Sequence, residues 1–313
     1  MAQAQGALAR FAYVPESTWG TTPGSPSMKK LGAAVYGESL GANYEELISN
    51  AISSSRDRED MRLGNLTVSG AIPFEFAPLG LGTLLKHALG ANTTTGTNPY
   101  THTMKTGSTF IGTGLSVEKA FIDLNKYFVF TGGVIEGISA TITADGLCTG
   151  SMDLLGKGWS NSGSALGTPA AVAHNPFAPF EAAFQEGGTD FEVLSWGFAL
   201  RNNIEVVRGP GSREILGVNA GKADVTTTCT IRYQNHTHLD KWLAETITTQ
   251  RCTFTTGANS LQFLFPRGKY SADSSPKIQT DQGIVTQLNF RGLRDSTEAT
   301  SMKVTLINTE ATV

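Results

Sequence analysis

The sequence predicts an all-β protein made of two halves in tandem, each a sheet-rich unit with one flanking helix. Three observations carry this. Apolar residues recur at every second position over several runs, charged residues are scarce, and a strand–helix–strand order occurs twice. Hydrophobic residues make up 40% of the 313, enough for a core in each of two domains of ~150 residues. Charged residues make up 16%, against roughly 25% in ordinary soluble domains. That balance suits a sheet whose surfaces meet protein rather than water.

The elements follow in chain order. Residues 1–30 hold Glu16-Ser-Thr-Trp-Gly-Thr-Thr-Pro-Gly-Ser-Pro26, too rich in breakers for a helix or a central strand. They read as an extended arm with Trp19 as its anchor. Val35–Leu40 is a short strand candidate, and Ser49–Gly64 a long polar loop. Leu66, Val68, Gly70, Ile72, Phe74 and Phe76 then share one face, the period of a half-buried strand. Leu81, Leu84, Leu85 and Ala88 stand at helical spacing and Gly90 supplies a stop. Leu115–Ile122 and Tyr127–Thr143 read as strands. Asp145-Gly146 signals a tight hairpin, returning through Cys148–Leu155. Residues 157–190 read as a linker in which Phe177, Phe180 and Phe184 pin parts down.

The second half repeats the order. Trp196–Val207 is a strand and Arg208–Gly221 a loop. Val225, Thr227, Cys229, Ile231 and Tyr233 alternate, and Leu239, Trp242, Leu243 and Ile247 take helical spacing. Cys252–Thr255, Ser260–Phe265, Gly283–Leu293 and Met302–Ile307 are further strand candidates. Val68/Val225 and Phe74/Ile231 are 157 apart, and Leu81/Leu239 and Leu85/Leu243 are 158 apart. Gly133-Val-Ile135 and Ser151-Met152 align with Gly283-Ile-Val285 and Ser301-Met302 at a spacing of 150. A repeated order at near-constant spacing points to duplication. The expected domains are 31–156 and 191–313.

Little in the sequence carries chemistry. The net charge is −3 with no basic run, which argues against tight nucleic-acid binding. Cys148, Cys229 and Cys252 lack metal spacing and read as buried thiols. His236-Thr-His238 with Asp240 resembles a ligand cluster, but its place at a strand-to-helix join fits a capping turn better, so no metal and no cofactor is expected. Gly107–Gly114 lacks the Lys-Ser/Thr of a phosphate loop. No apolar run reaches the ~18 residues of a membrane span, and Met1–Arg10 does not read as a secretion signal. An enzyme is therefore not expected. The alternatives are a β-rich surface part, such as a decoration or receptor-binding protein, or a β-fold hydrolase resting on His236 and His238.

Several short segments, taken in order, resemble the tail tube (major tail) proteins of siphophages. They are Glu16–Pro23, Gly37-Glu-Ser-Leu40, the Ser53–Asp60 run, Val68-Ser-Gly70 with Phe74-Glu-Phe76, Leu84-Leu-Lys-His-Ala-Leu89, Phe130-Thr-Gly-Gly-Val134, Thr149–Gly156 and Asn202-Asn203. The charged loop departs from the commoner form, with Ser-Ser-Ser-Arg-Asp-Arg where a more acidic run is usual. The resemblance implies tandem β-sandwich domains whose inner sheets join those of ring neighbours into a closed barrel. Rings stack into a tube assembled in the host cytoplasm and carried in the virion. It also implies partners: copies of itself, the tape measure protein in the lumen, tail terminator and distal tail proteins, and DNA passing without specific binding. A ring of six single-domain copies becomes three chains if each carries two domains. The two polar loops occupy the same place in each half. Arg56, Asp57, Arg58, Glu59, Asp60 and Arg62 in the first, with Arg208, Arg213 and Glu214 in the second, are the expected ring-stacking contacts.

Overall fold

The structure, a computed structural model, describes residues 3–31, 37–52, 54–271, 275, 276, 278 and 283–313. The first half contains β1 (Ala9–Pro15), β2 (Lys29–Lys30), β3 (Gly41–Ile48), β4 (Met61–Glu75) and helix α1 (Gly82–Leu89). A hairpin of β5 (Asn92–Thr95) and β6 (Tyr100–Lys105) follows, then β7 (Leu115–Phe121), β8 (Lys126–Thr143), β9 (Thr149–Gly156) and β10 (Gly158–Ser162). The second half opens with β11 (Ala182–Glu186), β12 (Thr189–Asp190), β13 (Ser195–Arg201), β14 (Glu205–Val207), β15 (Gly217–Asn219) and β16 (Asp224–Arg232). Helix α2 (Thr237–Leu243) leads to β17 (Thr248–Thr256), β18 (Asn259–Tyr270), β19 (Val285–Gly292) and β20 (Lys303–Asn308).

The alternation of β4 does what its pattern dictates. Leu66, Val68, Ile72 and Phe74 are buried while Thr67 and Ser69 are exposed, because successive side chains of a strand point to opposite faces. The strand is longer than its apolar run and starts at Met61. In β16, Val225, Thr227, Cys229 and Ile231 are buried in the same way. Helix α1 stops at Gly90, whose φ of 127° suits a residue without a Cβ. The Asp145-Gly146 turn joins β8 to β9, with Gly146 at φ 91°.

One antiparallel sheet runs through both halves in the order β3-β4-β9-β8-β13-β16-β19-β18. Two further sheets cover it. One is β2-β1-β7-β8-β10. The other is β12-β11-β17-β18-β20-β6-β5. The strands β8 and β18 each belong to two sheets. β8 crosses over at Gly133, the last partner of β7, while Val134 is the first partner of β9. β18 crosses at Gly268, which pairs with both Thr248 and Gly292. A Cβ on Gly268 would lie 2.3 Å from the Phe290 ring, so only glycine fits this bend. Each crossover faces a register shift on the neighbouring strand, between Leu115 and Val117 and between Thr248 and Gln250. Such bulges bend a strand from one sheet into the next.

The core lies between the through-running sheet and its covers, and it is shared. Phe198 of β13 sits 4.7 Å from Phe263 of β18, which also meets Phe76 of the first half at 5.7 Å. Buried residues of both halves form one cluster. The opposite face of the long sheet carries small hydroxyl side chains in rows. Ser151, Ser139, Ala199 and Thr226 form one such row, and Thr149, Thr141, Gly197 and Thr228 another.

The two halves have the same neighbour relations. β3-β4-β9-β8 is matched by β13-β16-β19-β18, and β1-β7-β8-β10 by β11-β17-β18-β20. A 3-10 turn precedes each leading strand, Gly6–Leu8 before β1 and Pro179–Glu181 before β11. This register corrects part of the sequence alignment. Gly133 corresponds to Gly268, not Gly283, and β9 corresponds to β19, so Ser151-Met152 does not match Ser301-Met302. The reason is an insertion. The β5–β6 hairpin lies between α1 and β7 and has no counterpart after α2. The offset therefore falls from 158 at the helices to 135 at the crossover glycines (268 − 133).

Other expectations need correction. Residues 1–30 are not wholly an arm: β1 pairs along its length with β7, and Ala12 and Tyr13 are buried. The 157–190 linker contains β10 and β11, with Phe177 buried, Phe184 beside Trp196 and Phe180 exposed. Val35 and Tyr36 lie outside the described residues, and the strand nearby begins at Gly41. The Trp196–Val207 strand is broken at Asn202-Asn203, where Asn203 has a φ of 46°.

His87 on α1 makes a pH prediction. It is 4% exposed, and its Nδ1 has no partner among the described residues. Burial first, then the nearby Lys86 and Lys29, pushes its pKa from 6.5 down to about 4. The unfolded chain therefore binds the proton more readily between these values. The stability this neutral imidazole allows is fully present above pH 6.5 and is lost as pH falls towards 4, by roughly 3 kcal/mol. In acid titrations followed by circular dichroism, His87→Leu should move the unfolding midpoint to lower pH. An unchanged midpoint would contradict the account.

Candidate self-assembly surfaces

The through-running sheet is open within one chain. It ends at β3 on one side and at the C-terminal part of β18 on the other, and among the described residues neither has a strand on its outer edge. Inside the chain the corresponding strands are joined. β8, the counterpart of β18, pairs with β13, the counterpart of β3, from Ser195 opposite Thr143 to Arg201 opposite Gly137. Unpaired edges of this kind are templates for further strand pairing.

Each half also projects a hairpin arm. The first is the distal part of β3 and β4, where Leu47 pairs with Arg62 and Ile48 with Met61, closed by residues 49–60. The second is β14 and β15, where Glu205 pairs with Asn219 and Val206 with Val218. The two arms are in the same register, since 219 − 62 and 218 − 61 both equal 157.

The structure separates the nine charged residues singled out in the sequence. Arg56, Asp57, Arg58, Glu59, Asp60 and Arg62 are exposed on the first arm, together with the apolar Leu47, Ile52, Met61 and Leu63. The second arm instead lies against the first half of its own chain. The Leu66 N–H donates to the Arg213 carbonyl at 2.9 Å. Arg208 Nη2 donates to Thr67 Oγ1 at 3.1 Å. Glu214 covers Gly158, where a Cβ would sit 2.9 Å from Glu214 Oε1. Ile215 is buried. Arg208 by its guanidinium, Arg213 by its carbonyl and Glu214 by its carboxylate thus touch the first half while remaining exposed, and the first arm presents charge and apolar surface outward.

The N-terminal anchor contains a residue the sequence reading passed over. Trp19 Nε1 donates to the Gly132 carbonyl at 3.0 Å, and Lys157 Nζ lies 4.9 Å from its ring centroid. Glu16, 4% exposed, binds beneath it. Its carboxylate accepts the Gly132 N–H at 2.8 Å, the Gly20 N–H at 2.6 Å and the Ser116 hydroxyl at 2.6 Å. A carboxylate with several fixed donors is a strong local clamp. Its signal was visible as an acid followed by Ser-Thr-Trp-Gly, a run in which a turn would fold the side chain back onto backbone.

His236 and His238 serve local structure. His236 Nδ1 shares a hydrogen bond with Tyr233 Oη at 2.9 Å, and His238 Nδ1 with Tyr270 Oη at 3.2 Å. The turn before α2 is closed by Asn235 Oδ1, which accepts the Thr237 N–H at 3.0 Å. Among the described residues no three His, Cys, Asp or Glu side chains group as a metal site. Cys148, Cys229 and Cys252 are buried and unbonded to one another; burial pushes the Cys148 and Cys229 thiols up to about 12.

Open sheet edges and projecting arms are features of a β-protein that can pair with other protein. A family model described as phage tail tube protein matches residues 6–292, and the chain belongs to that family. It is a structural component of a phage tail, in a family whose members assemble into a tube. No curated protein matches it.

Proposed function

We propose that the chain forms stacked rings of a siphophage tail tube through which DNA is ejected, each ring holding three chains with two tube domains apiece. The observation that carries this is the β8–β13 joint. It is a head-to-tail contact in which the last strand of the first half's sheet meets the first strand of the second half's. Repeating it between chains would pair the open end at β18 with the open β3 of the next copy. A heterologous contact that closes makes a ring and removes the sheet edges. Two similar halves per chain then supply six units from three chains.

The hydroxyl-rich face of the long sheet would line the lumen. Its rows of Ser, Thr, Ala and Gly include Glu136, Asp153 and Asp224 alongside Arg201, Arg232, Arg291 and Lys269, with Arg291 paired to Asp224 and Lys269 to Glu245. Such a wall has no basic stripe to hold DNA by counterion release. Before ejection the lumen would hold the tape measure protein, with terminator and distal tail proteins at the tube ends. Cross-sections of tubes grown from purified protein test the reading. Three chains per ring with sixfold-like density are expected. Six full-length chains per ring would refute the proposed stoichiometry, and a chain that stays monomeric when concentrated would refute the tube.

A further inference from the structure

The second arm records how an arm of this chain is received. Its Arg213 carbonyl takes the Leu66 N–H and its Glu214 side chain covers Gly158. Both receiving positions are buried. Each group has a counterpart in the other half. At the offset of 157, Arg213 and Glu214 correspond to Arg56 and Asp57 (213 − 56, 214 − 57), and Leu66 and Thr67 to Ala223 and Asp224 (223 − 66, 224 − 67). Gly158 pairs with Thr131 on β8. The matching position on β18, 135 further along, is Pro266, and the β18–β20 register carried on from Leu264–Lys303 sets it opposite Ser301.

This second receiving surface is uncovered. Ala223, Asp224 and Ser301 are only partly buried, and the arm that would fill it, carrying Arg56 and Asp57, is exposed. The second arm leans on the half that precedes it in the chain. Among the described residues the first arm is exposed, and the second half of another molecule offers it the matching surface. The chemistry is complementary. Where Arg208 meets the Thr67 hydroxyl within the chain, the open surface presents Asp224, paired with Arg291 at 2.8 Å, to an arm whose Arg56, Asp57, Arg58 and Glu59 carry both signs of charge. Sizes also compensate. Glu214 lies over Gly158, whereas Asp57, one methylene shorter, would lie over Ser301, which has a side chain.

We infer that the first arm, residues 49–60, docks on the Ala223–Asp224–Ser301 surface of a second copy of this chain, repeating between molecules the contact made within each. The contact is lateral, between ring neighbours, and it rests on the tube reading above. The three native cysteines are buried, so introduced surface thiols report alone. The double variant Asp57→Cys, Ser301→Cys is assembled, oxidised and run on a non-reducing gel. A ladder ending at three chains is expected, since lateral contacts close the ring covalently. A ladder running past three would mean that the arm bridges successive rings, and tubes without cross-links would mean that it docks elsewhere. Either overturns this inference and leaves the tube intact. A chain that forms neither rings nor tubes in the wild type overturns the tube reading itself. The pair Arg56→Cys, Lys222→Cys, at two exposed positions, gives the same readout if the Ser301 variant does not fold.

Discussion

Replacing residues 49–60 by an Asn-Gly turn that joins Ile48 directly to Met61 is expected to leave a folded chain that no longer grows into tubes. The fold should survive because the loop adds nothing to the core. Residues 54–60 are exposed, and the Ile48–Met61 pair already closes the hairpin. A two-residue Asn-Gly turn suits such a pair, and shortening the loop from 12 residues to two changes closure entropy by only about 1.6 kcal/mol. Assembly should fail because the segment carries Arg56 and Asp57, the counterparts of the in-chain contacts of Arg213 and Glu214. Losing two anchors at ~1–2 kcal/mol each raises the concentration needed for growth by roughly a hundredfold. Light scattering against protein concentration measures this, with circular dichroism confirming the fold. Tube growth at the wild-type threshold would show that the arm is not an assembly contact.

Phe263→Ala should destabilise the chain by about 3–5 kcal/mol, the range for a buried Phe truncated to Ala with incomplete collapse of the cavity. Phe263 has no exposed surface. Its ring meets Phe76 from the first half at 5.7 Å and Phe198 and Phe254 from the second at 4.7 and 6.4 Å. Because these rings belong to one core cluster, the wild-type chain should melt in a single calorimetric transition, and the variant should lower that whole transition. Two resolved transitions, only one of them moved by the mutation, would show that the halves unfold independently.

This shared core explains an asymmetry between the helices. Leu85 and Leu89 of α1 are buried, whereas Leu243 and Ile247, 158 residues later, are exposed. Helix α1 packs against β6 and β8, and Gly82 lies against Val313. Helix α2 follows the same sequence pattern but lacks a matching hairpin over it. Helical periodicity fixes which side chains share a face; it does not say whether another element covers that face.

Much was legible from local chemistry. The period-two run from Leu66 to Phe76, the stop at Gly90 and the Asp145-Gly146 turn are each dictated by neighbouring residues and stand where the sequence places them, whereas the polar loop expected over Ser49–Gly64 gives way to strand from Met61. The strand β1 was less legible, since Arg10 and Pro15 blur its alternation and a breaker-rich segment follows. Glu16 looked like one more polar loop residue; only folding brings Gly20, Ser116 and Gly132 to its carboxylate. The first 157-residue offset was readable because strand and helix lie close together in the chain. The later offsets were not, because the β5–β6 hairpin changes the count and its Thr-rich strands have no strong apolar period. The sequence alone therefore determined the class of structure, the twofold order of its halves and the exposed charge of the first arm. Tertiary structure alone decided that β8 pairs with β13, that β8 and β18 each serve two sheets and that the second arm folds onto the first half. Those are pairings between residues far apart in the chain, set by which edges and faces meet when the core closes, and no local pattern encodes them.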